Sequence, residues 1–352
     1  MTQPARPRPA PPTQLRIGLW GPPGSGKTTF LAALKIATTL KSGEQMNWIM
    51  NGADDASANF LQDSMYQLTT AKVFPVATAD QQSMIFRFTG RKQVERRNRL
   101  GRRTVASERV VFELDVLDVP GGMYGDQDGR PLGRAGDTVE DSSFSVGGDD
   151  RDDPFLGSDA SADADERLLD HLQSCHGIVY LFDPERETRE GDAWRFFHPV
   201  LEKLAGRIMG QDTFAGTKLP QHVAVCVTKF DQPNIYHQAR LRGYLAYEQQ
   251  RPFLPMVPND LAGQFFQKLC DDPLSNADLV ERGLRQYFNT IDYFVTSSIG
   301  FHVTDNRFRQ YDFLNVERVG PGPSDFKIKG KLYPINVLEP LLWLHQSITD
   351  AG

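Results

Sequence analysis

Residues 21–28 read GPPGSGKT, and this octet constrains the fold more than any other part of the chain. It has the form G-x-x-x-x-G-K-[ST]. The apolar run LRIGLW at 15–20 precedes it. KTTFLAALKIATTL follows at 27–40, with Phe30, Leu31, Leu34, Ile36 and Leu40 as its apolar stripe. A buried strand, a glycine-rich turn and a helix in that order make a cradle for phosphate, because the helix aims its positive end at the turn. Gly24 and Gly26 let backbone N–H groups turn inward around phosphate oxygens. Lys27 is the candidate point charge for the β- and γ-phosphates, and the Thr28 hydroxyl is a candidate magnesium ligand. Gly21, Pro22, Pro23, Ser25 and Thr29 complete the candidate phosphate-binding stretch.

The same strand signature recurs at 84–88, 110–117, 178–182, 222–227 and 293–296. Helical patterns separate most of these runs, at 164–175, 192–209, 235–250, 276–288 and 336–348. The alternation predicts an α/β fold with a mostly parallel, six-stranded sheet and helices on both faces. A chain of 352 residues is long for one domain, but an α/β domain with insertions can reach that length. Residues 1–13 carry five prolines and no apolar period, which predicts a disordered tail. Residues 14–350 then form one domain with insertions at 91–109, 123–163 and 301–331. The first insertion has eight Lys/Arg against two Glu and lies between two predicted strands, as the tip of a hairpin would. It has no interleaved aromatic residue, so nucleic-acid contact is not expected. The second insertion sets Asp149, Asp150, Asp152 and Asp153 in a Gly/Ser/Asp background, and loops of this kind are either functional or disordered. The third is rich in charge, Gly and Pro, with room for a small hairpin.

Composition narrows the classes further. A net charge of -6 argues against a general polyanion binder. Cys175, Cys226 and Cys270 show no metal-binding or CxxC spacing, and Cys226 sits in an apolar run as a core residue would. That usage fits a reducing cytosol, so a cytoplasmic location is expected. No run approaches the ~18 apolar residues of a membrane span. The N-terminus lacks the apolar stretch of a secretory signal.

Three further motifs follow the octet. In VFELDVLDVPGG (111–122), an apolar strand delivers Asp118 to its C-terminal end and Gly121 follows as D-x-x-G. Asp118 can hold the magnesium shell, and the Gly121 N–H can sense a γ-phosphate. In HVAVCVTKFD (222–231), another strand ends in Thr228, Lys229 and Asp231 as T-K-x-D, and YFVTSSIG (293–300) ends in Ser297 and Ser298. In this order the motifs resemble those of P-loop GTPases of the translation-factor and small-GTPase class. The resemblance implies GTP and GDP as ligands with Mg2+. It has Asp231 accept from the guanine N1–H and amine, Lys229 pack its stem over the base, and the backbone at Ser297 and Ser298 meet the guanine carbonyl. Thr78 is the implied switch threonine on magnesium, with Thr70 and then Thr69 as rivals. ATP is disfavoured by Thr228, Lys229 and Asp231.

The pattern departs from an efficient hydrolase at Gly122, where many members of the class carry a water-orienting glutamine. The implied protein is a molecular switch with slow GTP hydrolysis that depends on a partner. A GTP-dependent assembly scaffold with negligible turnover is the alternative. GPPGSGKTTFLAAL, the FPVAT before a strand, SSIG and the closing NVLEPLLWL are also similar to bacterial double-GTPase families, which implies a second GTPase or an effector as protein partner.

Overall fold

The computed structural model describes residues 15–22, 24–40, 48–75, 82–97, 103–118, 166–211, 214, 216–321 and 325–351. The tail at 1–13, Pro23, Thr78, Gly121, Gly122 and the whole 123–163 insertion lie outside this set. Asp118 is described in its backbone only.

Among the described residues seven strands, not six, form the main sheet, in the order β2-β3-β4-β1-β5-β6-β9. They are β1 (Arg16–Trp20), β2 (Ile49–Gly52), β3 (Gln82–Arg97), β4 (Arg103–Asp118), β5 (Gly177–Phe182), β6 (His222–Val227) and β9 (Ile291–Val295). β4, β1, β5, β6 and β9 are parallel, while β2–β3 and β3–β4 are antiparallel. The extra strand is β2, four residues at the sheet edge with only Met50 buried. A run that short carries no readable alternation. After β1 the chain builds one side of the sheet, through β2 to β4, and then crosses to build the other. The carboxyl ends of β4, β1 and β5 therefore meet at a switch in topology, where α/β sheets bind ligands. The result is the mostly parallel α/β sheet with helices on both faces.

Both faces are covered, so β5 at the centre of the sheet is apolar throughout, with every residue buried. On one face Trp20, Tyr180, Phe182, Val225 and Val227 meet α3 (166–174), α5 (Ala193–Met209), α7 (Asn259–Cys270) and α8 (Ala277–Tyr287). On the other, Ile17, Leu19, Val179, Leu181 and Cys226 meet α1 (Lys27–Leu40), α2 (Asp55–Tyr66) and α9 (Glu339–Ala351). Among the described residues two α-helices remain: α4 (Pro184–Glu190), and α6 (Pro233–Leu241), which stops well short of the expected residue 250. Gly243, with φ +77°, follows its end.

Other expectations also shift. β3 and β4 pair continuously out to Arg97 and Arg103, so the basic stretch is mostly strand, with 98–102 outside the described residues. Beyond residue 89, no third strand pairs with this ribbon on the β3 side among the described residues. A two-stranded ribbon needs no buried face, which removes the apolar signal a sequence reading depends on. α2, α4 and α7 are not among the expected helices. α2 starts on Asp54, whose side chain accepts from the Ser57 N–H at 2.7 Å. The 301–331 segment holds two small antiparallel pairs, one of β10 (Val303–Thr304) with β11 (Arg307–Phe308) and one of β12 (Val316–Arg318) with β13 (Phe326–Ile328). A third pair joins β7 (Ala246–Tyr247) to β8 (Pro255–Met256). Among the described residues no helix is long and apolar enough to cross a membrane.

Candidate functional site

The glycine-rich turn sits at the end of β1, between β4 and β5. Gly24 and Gly26 take φ of +73° and +93°, a left-handed backbone that side chains oppose. The Ser25 N–H donates to the Pro22 carbonyl at 3.1 Å, and α1 opens with the Phe30 N–H on the Gly26 carbonyl at 2.8 Å. Lys27 Nζ folds back over the loop, donating to the carbonyls of Gly21 at 3.0 Å and Pro22 at 3.3 Å. The Ser25 hydroxyl is buried without a hydrogen-bond partner among the described residues. Thr28 and Thr29 lie half-buried in the first turn of α1. A turn of inward N–H groups, an ammonium and a helix N-terminus together suit a polyphosphate.

The other motifs reach the same edge of the sheet. Asp118 ends β4, two residues beyond Val116, which is paired with Leu19 of β1. Thr228 leaves β6 with its N–H on the Phe182 carbonyl at 2.8 Å and its hydroxyl on the same oxygen at 3.1 Å. Lys229 takes φ +57° and places Nζ 2.5 Å from Asp183, the buried residue that follows β5. Asp231 is buried. Ser297 donates its hydroxyl to Asp231 and accepts the Gly300 N–H at 2.8 Å, which joins the T-K-x-D and SSIG loops. Ser297 is held on its backbone too, by reciprocal hydrogen bonds with Ile335 of 3.0 and 2.8 Å. Ser298, next to it, is half-buried. Burial pushes the Asp231 carboxyl up to about 6, against the hydrogen bond from Ser297 and the charge of Lys229.

The rival switch threonines Thr69 and Thr70 fall in a π-helical turn, Gln67–Ala71, that continues α2. Both are exposed, and the Thr69 hydroxyl donates to the Met65 carbonyl at 2.6 Å. Of the expected magnesium ligands, Thr28 lies in the first turn of α1, and Asp118 is described in its backbone only, at the end of β4. Among the described residues no cluster of three or more His, Cys, Asp or Glu could hold a metal unaided.

Three residues of this region escaped the sequence reading: Asp183, Arg186 and Asp192. Asp183-Pro184 followed by acidic residues is an N-terminal helix signature, and it could have located the start of α4. Nothing local reveals that Asp183 also pairs with Lys229.

No protein-family model matches the sequence. No curated protein matches it either. Among solved structures, the chain is similar to the signal recognition particle receptor SRb-GTP/SRX complex from Chaetomium thermophilum, at 13% identity over 84% of this chain and 95% of that one, with a TM-score of 0.31. It is also similar to the GTP-bound S. cerevisiae Ski7 GTPase-like domain, at 11% identity over 96% of this chain and 50% of that one, with a TM-score of 0.34. A putative nucleolar GTP-binding protein 1 from Plasmodium falciparum aligns at 11% identity over 83% of this chain and 80% of that one, with a TM-score of 0.25. These likenesses are too remote to assign the chain to a family.

Proposed function

We propose that the chain binds GTP and GDP with magnesium, and that it hydrolyses GTP slowly as a switch controlling a protein partner. The observation that carries the proposal is the convergence on one sheet edge of the phosphate turn and a buried Asp231 anchored by Ser297. Asp231 as a carboxylate accepts from the guanine N1–H and amine, and Lys229 lays its stem along the base. Adenine presents an acceptor where guanine presents a donor, and a buried carboxylate without its partner costs ~1–3 kcal/mol or more.

At the other end, the N–H groups of residues 24–29 and Lys27 Nζ take the phosphate oxygens in place of the Gly21 and Pro22 carbonyls. Thr28 and Asp118 would hold magnesium, with Thr78 as the third candidate. When bound, that ion neutralises charge on the β- and γ-phosphates. The Gly121 N–H reports the γ-phosphate. Gly122 has no side chain to orient water, so a partner supplies that group or an arginine, worth ~10³–10⁵ in rate. A second GTPase or an effector fits the partner's role. Gly122 equally favours the second reading, a GTP-dependent assembly scaffold with negligible turnover.

Calorimetry with GTP, GDP and ATP in magnesium tests the proposal. Binding of both guanine nucleotides and weak or absent ATP binding is expected, and Asp231→Asn should move preference toward xanthine nucleotides. An unchanged preference for GTP in that variant would remove Asp231 from the base site. Phosphate release with and without a partner separates switch from scaffold.

A further inference from the structure

Arg186, in the first turn of α4, stands beside the phosphate turn in a way the motifs do not explain. Its Nε donates to Asp192 Oδ1 at 3.0 Å and its Nη2 to Asp192 Oδ2, a fork on a carboxylate. The guanidinium carbon lies 5.8 Å from the centroid of the Phe196 ring. Asp192 is the N-cap of α5, yet its side chain makes no capping hydrogen bond and is committed to the arginine. Two donors and the plane are thereby fixed, leaving Nη1. That group lies 3.5 Å from the position a Cβ on Gly24 would occupy, whereas the bonds to Asp192 run through Nε and Nη2.

Strand order says which part of a nucleotide it would meet. Asp118, the candidate magnesium ligand, ends β4 on one side of β1. The T-K-x-D and SSIG loops end β6 and β9 on the other side. A nucleotide lying along this edge has its γ-phosphate toward β4 and its base toward β6. α4 follows β5 and so approaches Gly24 from the base side.

We propose that Arg186 is a built-in cation of the phosphate site, its Nη1 donating to the diphosphate that GTP and GDP share. The assignment rests on the nucleotide reading above. Arg186 is therefore an affinity group for both nucleotides and does not discriminate between them.

The test is calorimetric titration of the full chain and of its Arg186→Gln and Asp192→Asn variants with GTP and with GDP, at low and high salt. Arg186→Gln should weaken both nucleotides by about tenfold, with the GTP-to-GDP ratio unchanged, as for the loss of one charge-assisted hydrogen bond. The deficit should shrink as salt rises, because a charge interaction is screened. Asp192→Asn keeps the guanidinium charge and should lose less. Wild-type affinity in Arg186→Gln overturns the assignment, as does a loss confined to GTP. So does an equal loss in both variants that is indifferent to salt, which marks a structural role. Failure of the wild-type chain to bind either nucleotide overturns the underlying reading, and this assignment with it.

Discussion

In the proposed base site, Asp231 sets burial against recognition in one side chain. Removing its carboxyl from water favours the neutral acid and pushes it from the ordinary 3.8 to about 6. A carboxyl raised on folding adds stability below its unfolded value, and that contribution is lost as pH rises through about 6. The proposed guanine recognition requires the opposite form, since both guanine groups are donors. GDP affinity should thus be flat above about pH 7 and fall by about tenfold at pH 5, as the binding-competent fraction shrinks. Titration of GDP across that range checks it. An unvarying dissociation constant would remove the ionised Asp231 from recognition. Ser297 limits the rise by donating to the same carboxylate.

Among the elements, the short helix α4 ties the site together. Asp183 caps it, accepting from the N–H groups of Glu185 at 3.1 Å and Arg186 at 3.2 Å, and Gly191 ends it at φ +62°. The same Asp183 receives Lys229 Nζ, so one carboxylate links α4 to the loop after β6. Glu187, buried in the same helix, accepts the Ala193 N–H at 2.8 Å and the Asn276 N–H at 2.6 Å, which fixes the starts of α5 and α8. Asp183→Ala removes the cap and strips Lys229 of its partner. It should destabilise the chain by about 1–3 kcal/mol in urea unfolding. A change below about 0.5 kcal/mol would mean that Asp183 holds neither group.

At the scale of the whole molecule, α9 closes the second face of the sheet. A Cβ on Gly177 of β5 would come within 3.0 Å of Leu344 and 3.1 Å of Ile348, so helix and strand are in close contact. Leu344 is fully buried there, with Leu341 and Val337 beside it. Leu344→Ala should cost about 2–5 kcal/mol through lost transfer energy and the cavity left behind. The lowered denaturant midpoint would report this, while nucleotide affinity of the still-folded variant stays unchanged. A cost below about 1 kcal/mol would show that the helix is loosely seated.

The amino-acid sequence alone determined what depends on short windows. GPPGSGKT fits its turn because Gly24 and Gly26 can adopt the left-handed backbone found there, and α1 spans the expected residues 27–40. β6, which leads to Thr228, was legible because a strand buried on both faces reads as a nearly unbroken apolar run, while β4 and β9, which lead to Asp118 and Ser297, kept enough apolar residues to be read despite Glu113, Asp115 and Asp292. The edge strand β2 and the outer β3–β4 ribbon were not, since neither needs such a run. Tertiary structure alone decided that Lys229 meets Asp183, that Ser297 meets Asp231 and that Arg186 lies beside Gly24 of the glycine-rich turn. Each pair joins segments brought together by the order of strands in the sheet, and that order is a global balance of packing that no local period encodes.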